Sequence, residues 1–309
     1  MPVRIPLITD PAARVLLDGL IDFAGLFPPA SLAVADAVRA YAKYRGGEAG
    51  WMLGRFLCPV GEFDAFGAVA EPLLPRDAGA IPWRLAAIGT GDHAADAAAI
   101  VRINDCHRWS WDECSAVVDT VETRAGTPGE VAVIHAAFPV EITVYVEIPI
   151  AQDPTPFVAA LARTGRRAKL RTGGVRAEAF PRASQVATFV DTCVEAGVAF
   201  KATAGMHHVL HGTYPLTDAA DAAEAPMFGF LNMLLACALR LDNATPDEME
   251  GALLESDRAS VTFTDTTIAW RGRRFDRTRL AHLREHVMVS FGSCSFTEPV
   301  SEVRAMGAW

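Results

Sequence analysis

No stretch of this chain is long and apolar enough to cross a bilayer. The most apolar run, residues 227–239, carries Asn232 and falls short of the roughly 20 residues a spanning helix needs, so it is expected to be a buried helix. Dense basic runs are missing too. Lys and Arg total 28 against 37 Asp and Glu, for a net charge of −9, which argues against nucleic acid as a partner. The opening MPVRIPLITDPAARV lacks the basic-then-apolar order of a secretory signal and places Asp10 where apolar residues are required. A cytoplasmic protein with no membrane partner is the expectation. The six cysteines (Cys58, Cys106, Cys114, Cys193, Cys237, Cys294) include no CxxC pair and no zinc-finger spacing, so reduced thiols, no metal and no cofactor are expected. Internal repeats, low-complexity tracts and flexible linkers are likewise absent.

What is present is a chain of 309 residues, 51% hydrophobic and 21% charged, able to bury a full core without disulfides. A prior of about 150 residues per domain suggests two domains, but α/β barrels of roughly 250 residues form one. Short apolar runs alternate with longer amphipathic stretches, the pattern of repeated βα units. Eight runs read as strands: residues 20–27, 51–58, 83–88, 117–122, 142–148, 167–171, 198–201 and 286–291. The fold class expected is therefore α/β, a single (β/α)8 TIM barrel over residues 1–309. Helix starts are expected at Ser31, at Asp153-Pro154 and at Ser184. The spacing between the seventh and eighth strands is too long for one helix, so an inserted helix/hairpin region is expected at about residues 212–285. It holds the apolar FGFLNMLLACALRL, an acidic stretch at 247–255 and a hairpin-like VTFTDTTI/AWRGRRF. The apolar stripe is either core or an oligomer contact, leaving a homodimer open.

In such a barrel the reacting groups lie at the C-terminal ends of the strands. Polar residues interrupt the apolar runs here: Asp22, Arg55, Asp119, Glu122, Glu147, Lys169, Arg171, Lys201, Ser293 and Ser295. Buried ions lose several kcal/mol of hydration unless paired, so this collection implies a polar site. Lys169 and Lys201 are 32 residues apart, one βα repeat, and fall on neighbouring strands. Two ammonium groups about 4 Å apart repel by roughly 4 kcal/mol at an effective dielectric near 20, enough to lower one lysine pKa by about 3. A neutral amine attacks a carbonyl to give an imine, the electron sink for breaking or making a carbon–carbon bond. Asp119, Glu147 or Asp22 are candidates to relay the protons.

Seven segments in order resemble the strand signatures of the deoxyribose-phosphate aldolases, class I aldolases on a (β/α)8 barrel: IDFAGLF, FLCP, VDTV, VYVE, KLRTGG, KATAG and FGSCSF. The resemblance implies that Lys169 forms the Schiff base, Lys201 depresses its pKa, and Asp119 shuttles protons, with Glu147 and Asp22 in the supporting network. Three departures bear on the substrate. AGMHHVLHG, with His207, His208 and His211, replaces a Gly-Gly and Arg phosphate segment; Arg171 replaces a small hydroxyl residue; and the long insertion has no counterpart. The substrate expected is thus a small aldehyde, ketone or keto acid rather than the usual deoxyribose phosphate. Arg171 has the planar fork that suits a carboxylate.

Other readings compete. The lysines, Asp119 and Glu147 also fit a structural ion-pair interior, and Asp22 with Arg55 fits either an ion pair or a binding role. A metal-assisted lyase, isomerase or hydrolase would use Glu147 with His207 or His208, although adjacent strand histidines face opposite ways. Gly292, Ser293 and Ser295 fit an anion-binding loop. A non-catalytic barrel holding an anionic ligand is the third class.

Overall fold

Why strand alternates with helix is visible in the period of two: apolar side chains from each short strand pack outward under a helix, and polar ones point to the axis. The computed structural model describes residues 10–77, 79–108, 114–217, 219 and 221–309. Residues 1–9, the segment without a secretory-signal pattern, lie outside them. Helix α1 (Ala12–Leu17) leads to β1 (Ile21–Phe23), α2 (Val34–Arg45), β2 (Leu53–Pro59), α3 (Phe63–Ala70), β3 (Trp83–Ile88) and α4 (His93–Cys106). Then come β4 (Ala116–Arg124), α5 (Glu130–Ala137), β5 (Thr143–Glu147), α6 (Thr155–Thr164), β6 (Arg167–Arg171), α7 (Ala183–Glu195) and β7 (Phe200–Thr203). An antiparallel pair follows, β8 (Gly212–Pro215) and β9 (Glu224–Met227), then α8 (Phe230–Leu241) and α9 (Pro246–Leu253). The chain ends through β10 (Val261–Phe263), β11 (Thr267–Trp270), β12 (Arg273–Asp276), α10 (Arg277–His286), β13 (Met288–Ser293) and α11 (Thr297–Ala305).

The parallel strands close in the order β1-β13-β7-β6-β5-β4-β3-β2, so the fold is a (β/α)8 barrel with β13 as its eighth strand. All eight runs read as strands in the sequence are barrel strands. Outward-facing Phe23, Phe56 and Trp83 build an aromatic cluster with Tyr41 of α2 and Phe66 of α3; the Tyr41 ring lies 5.1 Å from Trp83 and 5.4 Å from Phe56. Phe200 meets Phe189 of α7 edge-on at 5.2 Å. Among the described residues no helix is long and apolar enough to cross a membrane.

Three local expectations differ from the structure. Ser31 does not start α2: it has φ 43, and the helix begins at Val34 with Ala33 in the cap position. The hairpin-like segment is three strands rather than two, because Arg271 and Gly272 both take positive φ (47 and 86) and make a two-residue turn between β11 and β12. Two positive-φ residues match the right-handed strand twist, and glycine carries the second at little cost. Finally, α8 lies within 212–285 but packs on the barrel itself. Phe230 stacks on Phe291 of β13 at 4.9 Å and 11°, so α8 is the helix that covers the β7–β13 seam.

Asn232 explains why that apolar helix tolerates a polar residue. Its Nδ2 donates to Ala252 O at 2.6 Å and Glu255 O at 2.9 Å, while Oδ1 accepts from His211 N at 2.7 Å and Gly229 N at 3.1 Å. The amide's hydrogen-bonding capacity is filled, tying α8 to the end of α9 and to the loop after β7. Arg284 does similar work at the barrel seam, donating to Leu16 O at 2.9 Å, Asp18 O at 3.1 Å and Met288 O at 3.3 Å. Replacing Asn232 by Leu leaves two buried N–H and two buried C=O groups unpaired. Urea denaturation of Asn232→Leu should register a loss of about 2–4 kcal/mol.

Candidate functional site

The site grows from strand register. Glu147 on β5 is opposite Lys169 on β6, Lys169 is opposite Lys201 on β7, and Lys201 is opposite Ser290 on β13. All face inward, so the axis that usually holds branched aliphatic layers is here filled with charge. Lys201 Nζ lies 2.5 Å from Asp22 Oδ2 and also hydrogen-bonds Glu122 Oε1. Lys169 Nζ lies 2.9 Å from Glu122 Oε2 and 3.1 Å from Glu147 Oε2. Arg171 Nε reaches Glu147 Oε1 at 3.1 Å. Asp22 is held in turn: Ser290 Oγ donates to Oδ2 and the Arg55 backbone N–H to Oδ1, each at 2.7 Å. Gly54 makes room for this carboxylate, since a Cβ there would stand 2.4 Å from Asp22 Oδ1.

The two ammonium groups expected to repel across the cavity are separated electrostatically by Glu122, which offers one oxygen to each. At an effective dielectric of about 20, each contact near 3 Å attracts by roughly 5–6 kcal/mol, more than the roughly 4 kcal/mol repulsion of two cations 4 Å apart. The signs of the pKa shifts follow. Burial works against the charge of Lys201, but Asp22 and Glu122 outweigh it and push the pKa above the ordinary lysine value. Burial alone would raise Glu122; Lys169 and Lys201 overcome it and bring the carboxyl down to about 2. Glu147 is lowered in the same way, burial being outweighed by Lys169 and Arg171.

The residues named from sequence divide into groups. Asp22, Glu147, Lys169, Arg171 and Lys201 meet in one network, with Glu122 at its centre. Asp119, expected to shuttle protons, belongs elsewhere: Oδ1 accepts from Arg55 Nε at 2.6 Å and Thr120 Oγ1 at 2.9 Å, and Oδ2 from Arg84 Nε at 2.5 Å. The cause is a register shift in the β3–β4 pairing, where Leu85 faces Val118 but Ala86 faces Thr120, so that Asp119 is the extra residue of a bulge. Burial is again outweighed: Arg55 and Arg84 hold the Asp119 carboxyl below the usual carboxylate range.

His207 and His208 lie in the loop after β7 rather than on a strand, and they take separate partners. His208 stacks on Tyr214 with ring centroids 3.4 Å apart and bonds Glu302 Oε1 at 2.7 Å, fastening the β8–β9 pair to α11. His207 Nδ1 is 3.1 Å from Ser293 Oγ. Glu147 and the two histidines thus have separate partners, and among the described residues no three His, Cys, Asp or Glu side chains converge as metal ligands. The Gly292, Ser293 and Ser295 loop is engaged locally. Ser293 Oγ donates to Ser295 O at 2.6 Å, Ser295 Oγ accepts from Glu298 N at 3.3 Å, and a Cβ at Gly292 would stand 3.2 Å from Thr203 Oγ1.

Two members of the interior, Glu122 and Arg84, are missed by the sequence assignments of roles. One compositional signal was available for the cluster: the chain contains only three lysines, Lys43, Lys169 and Lys201, and two of them are in the barrel. No family model matches the chain and no curated protein matches it. The class is therefore defined by fold and site: a (β/α)8 barrel with a lysine–carboxylate cluster on its axis.

Acid should expose the role of Glu122. Its folded pKa of about 2 lies below the unfolded value of about 4.3, so the stability it contributes is complete above that value and is lost as pH falls toward the folded one. Far-UV circular dichroism should record the resulting acid transition. Glu122→Gln leaves buried cations short of a partner and should cost roughly 3–5 kcal/mol in urea denaturation at neutral pH.

Proposed function

We propose that the protein is a lyase of the class I aldolase type, in which Lys169 forms a Schiff base with a small aldehyde, ketone or keto acid. The observation that carries this reading is the pairing of Lys169 with Lys201 in register on β6 and β7, bridged by one carboxylate. The two lysines are unequal. Lys201 is 1% exposed and locked by Asp22 and Glu122, whereas Lys169 is 8% exposed and sits one strand from Glu147. Lys169 is thus the nucleophile and Lys201 the fixed cation.

Imine formation suits this environment because it conserves charge. The Lys169 ammonium passes a proton to Glu147, 3.1 Å away, and the free amine adds to the carbonyl carbon. The carbinolamine oxygen then takes protons and leaves as water. An ammonium and a carbonyl have become an iminium and water, with the positive charge still at Nζ. Carboxylates placed for the ammonium therefore also stabilise the iminium, which draws in the electrons of the carbon–carbon bond that breaks. Lys201 holds Glu122 ionised, so that its negative charge stays beside the ammonium and then the iminium at Lys169. Arg171, at the C-terminal end of β6 with its side chain 47% exposed, is suited to bind the carboxylate of a keto acid through its planar fork.

Reduction with borohydride in the presence of a panel of small aldehydes, ketones and keto acids, followed by peptide mass mapping, tests the reading. A reduced adduct is expected at Lys169 and none at Lys201, and Lys169→Met should abolish it. An unmodified Lys169 across the whole panel overturns the proposal.

A further inference from the structure

The charged groups occupy only part of the barrel's inner wall. Glu122, Glu147, Lys169, Arg171 and Lys201 stand on β4 to β7, whereas the wall above Asp22, Arg55 and Arg84 is apolar. Ala24 follows Asp22 by two residues, Leu57 follows Arg55 and Ala86 follows Arg84, so the period of two turns all three to the axis. Together with Ile88 and with Phe27, from the loop after β1, they form an apolar cluster of their own, separate from the core beneath the helices. In the closed strand order β2 is diametrically across from β6. Leu57 therefore faces the strand of Lys169 and Arg171.

Register joins the two halves. Ile88 is opposite Glu122, the carboxylate that meets Lys169 Nζ at 2.9 Å. On the other flank Arg171 is opposite Thr203 and Thr203 is opposite Gly292, and a Cβ at Gly292 would stand 3.5 Å from Leu57 Cδ2. Charged and apolar walls thus meet around one mouth. Ala24, Ala86 and Gly292 are small where the usual barrel layer is bulky and branched, and Phe27 and Ile88 are only partly buried, so they present hydrocarbon to what enters. We infer that the site selects keto acids with an apolar side chain: Phe27, Leu57 and Ile88 receive the hydrocarbon end, across from a carboxylate held by Arg171 and a carbonyl carbon at Lys169. This rests on the reading of Lys169 as nucleophile and adds the residues that set specificity. An apolar chain gains by leaving water against that wall, and a hydroxylated one loses its hydration there.

Saturated carboxylates lack the carbonyl and form no imine, so they test the wall apart from the chemistry. Titration calorimetry of the intact protein with propanoate, butanoate, pentanoate and hexanoate should show Kd falling about fourfold for each methylene buried. The ω-hydroxy derivative of hexanoate should bind more weakly than hexanoate itself. Phe27→Asn and Ile88→Asn should flatten the series, while Arg171→Gln should weaken every member by a similar factor. If these variants do not fold, the wild-type series decides. Affinities that do not rise with chain length, a hydroxylated chain that binds as tightly, or a series equally steep in folded Phe27→Asn and Ile88→Asn overturns the inference. Borohydride trapping separates it from the chemistry proposed above. A graded carboxylate series with no adduct at Lys169 from any keto acid overturns imine formation and upholds the apolar wall. Adducts at Lys169 that reach half-saturation at the same concentration for pyruvate and α-ketohexanoate uphold the imine and overturn the apolar specificity.

Discussion

A single carboxylate, Glu122, faces two lysines on the axis of the barrel, and the other interior side chains are arranged to keep that contact electrically balanced. Removing an ion from water costs several kcal/mol, and only close, well-placed partners offset it. Three carboxylates, Asp22, Glu122 and Glu147, meet three cations, Lys169, Arg171 and Lys201. Below them Arg55 and Arg84 share Asp119. The axis is therefore a poor source of hydrophobic stabilisation. That role passes to the outer shell, where aromatic and aliphatic side chains of the strands pack under the helices.

Much of this architecture was legible in the sequence for a simple reason. A barrel strand is a short apolar run bounded by turn residues, and eight such runs recur with helical stretches between them. The neighbouring positions of Lys169 and Lys201 follow from the same repeat, since parallel strands in register place residues one βα unit apart side by side. Asp119 was misplaced because a bulge has no signature in a strictly alternating pattern: one extra residue in β4 sends Asp119 to Arg55 and Arg84 and leaves Glu122 for the lysines. Partners such as Ser293 for His207, or Glu302 for His208, come from distant segments, and spacing along the chain carries no information about them.

The segment between β7 and β13 illustrates the same boundary. Its apolar helix was recognisable, as was the polar residue within it, but hydrophobicity alone does not distinguish a helix that covers a barrel seam from one in an appended subdomain. The answer lies in long-range contacts, the stacking of Phe230 on Phe291 and the four hydrogen bonds of Asn232. The same segment continues into the β8–β9 pair, which His208 and Tyr214 fasten beside the barrel mouth.

The balance of charge on the axis also constrains how such a chain can diverge. Positions that share partners do not respond independently to substitution, so replacing Lys201 alone leaves Asp22 without a cation, and replacing Asp22 alone leaves Lys201 with Glu122 as its one carboxylate. Tolerated drift must proceed through paired exchanges, an acid and a base lost or swapped together. The six positions of the cluster are thus a single heritable unit, coupled through charge, whereas the aromatic shell outside it is coupled only through shape.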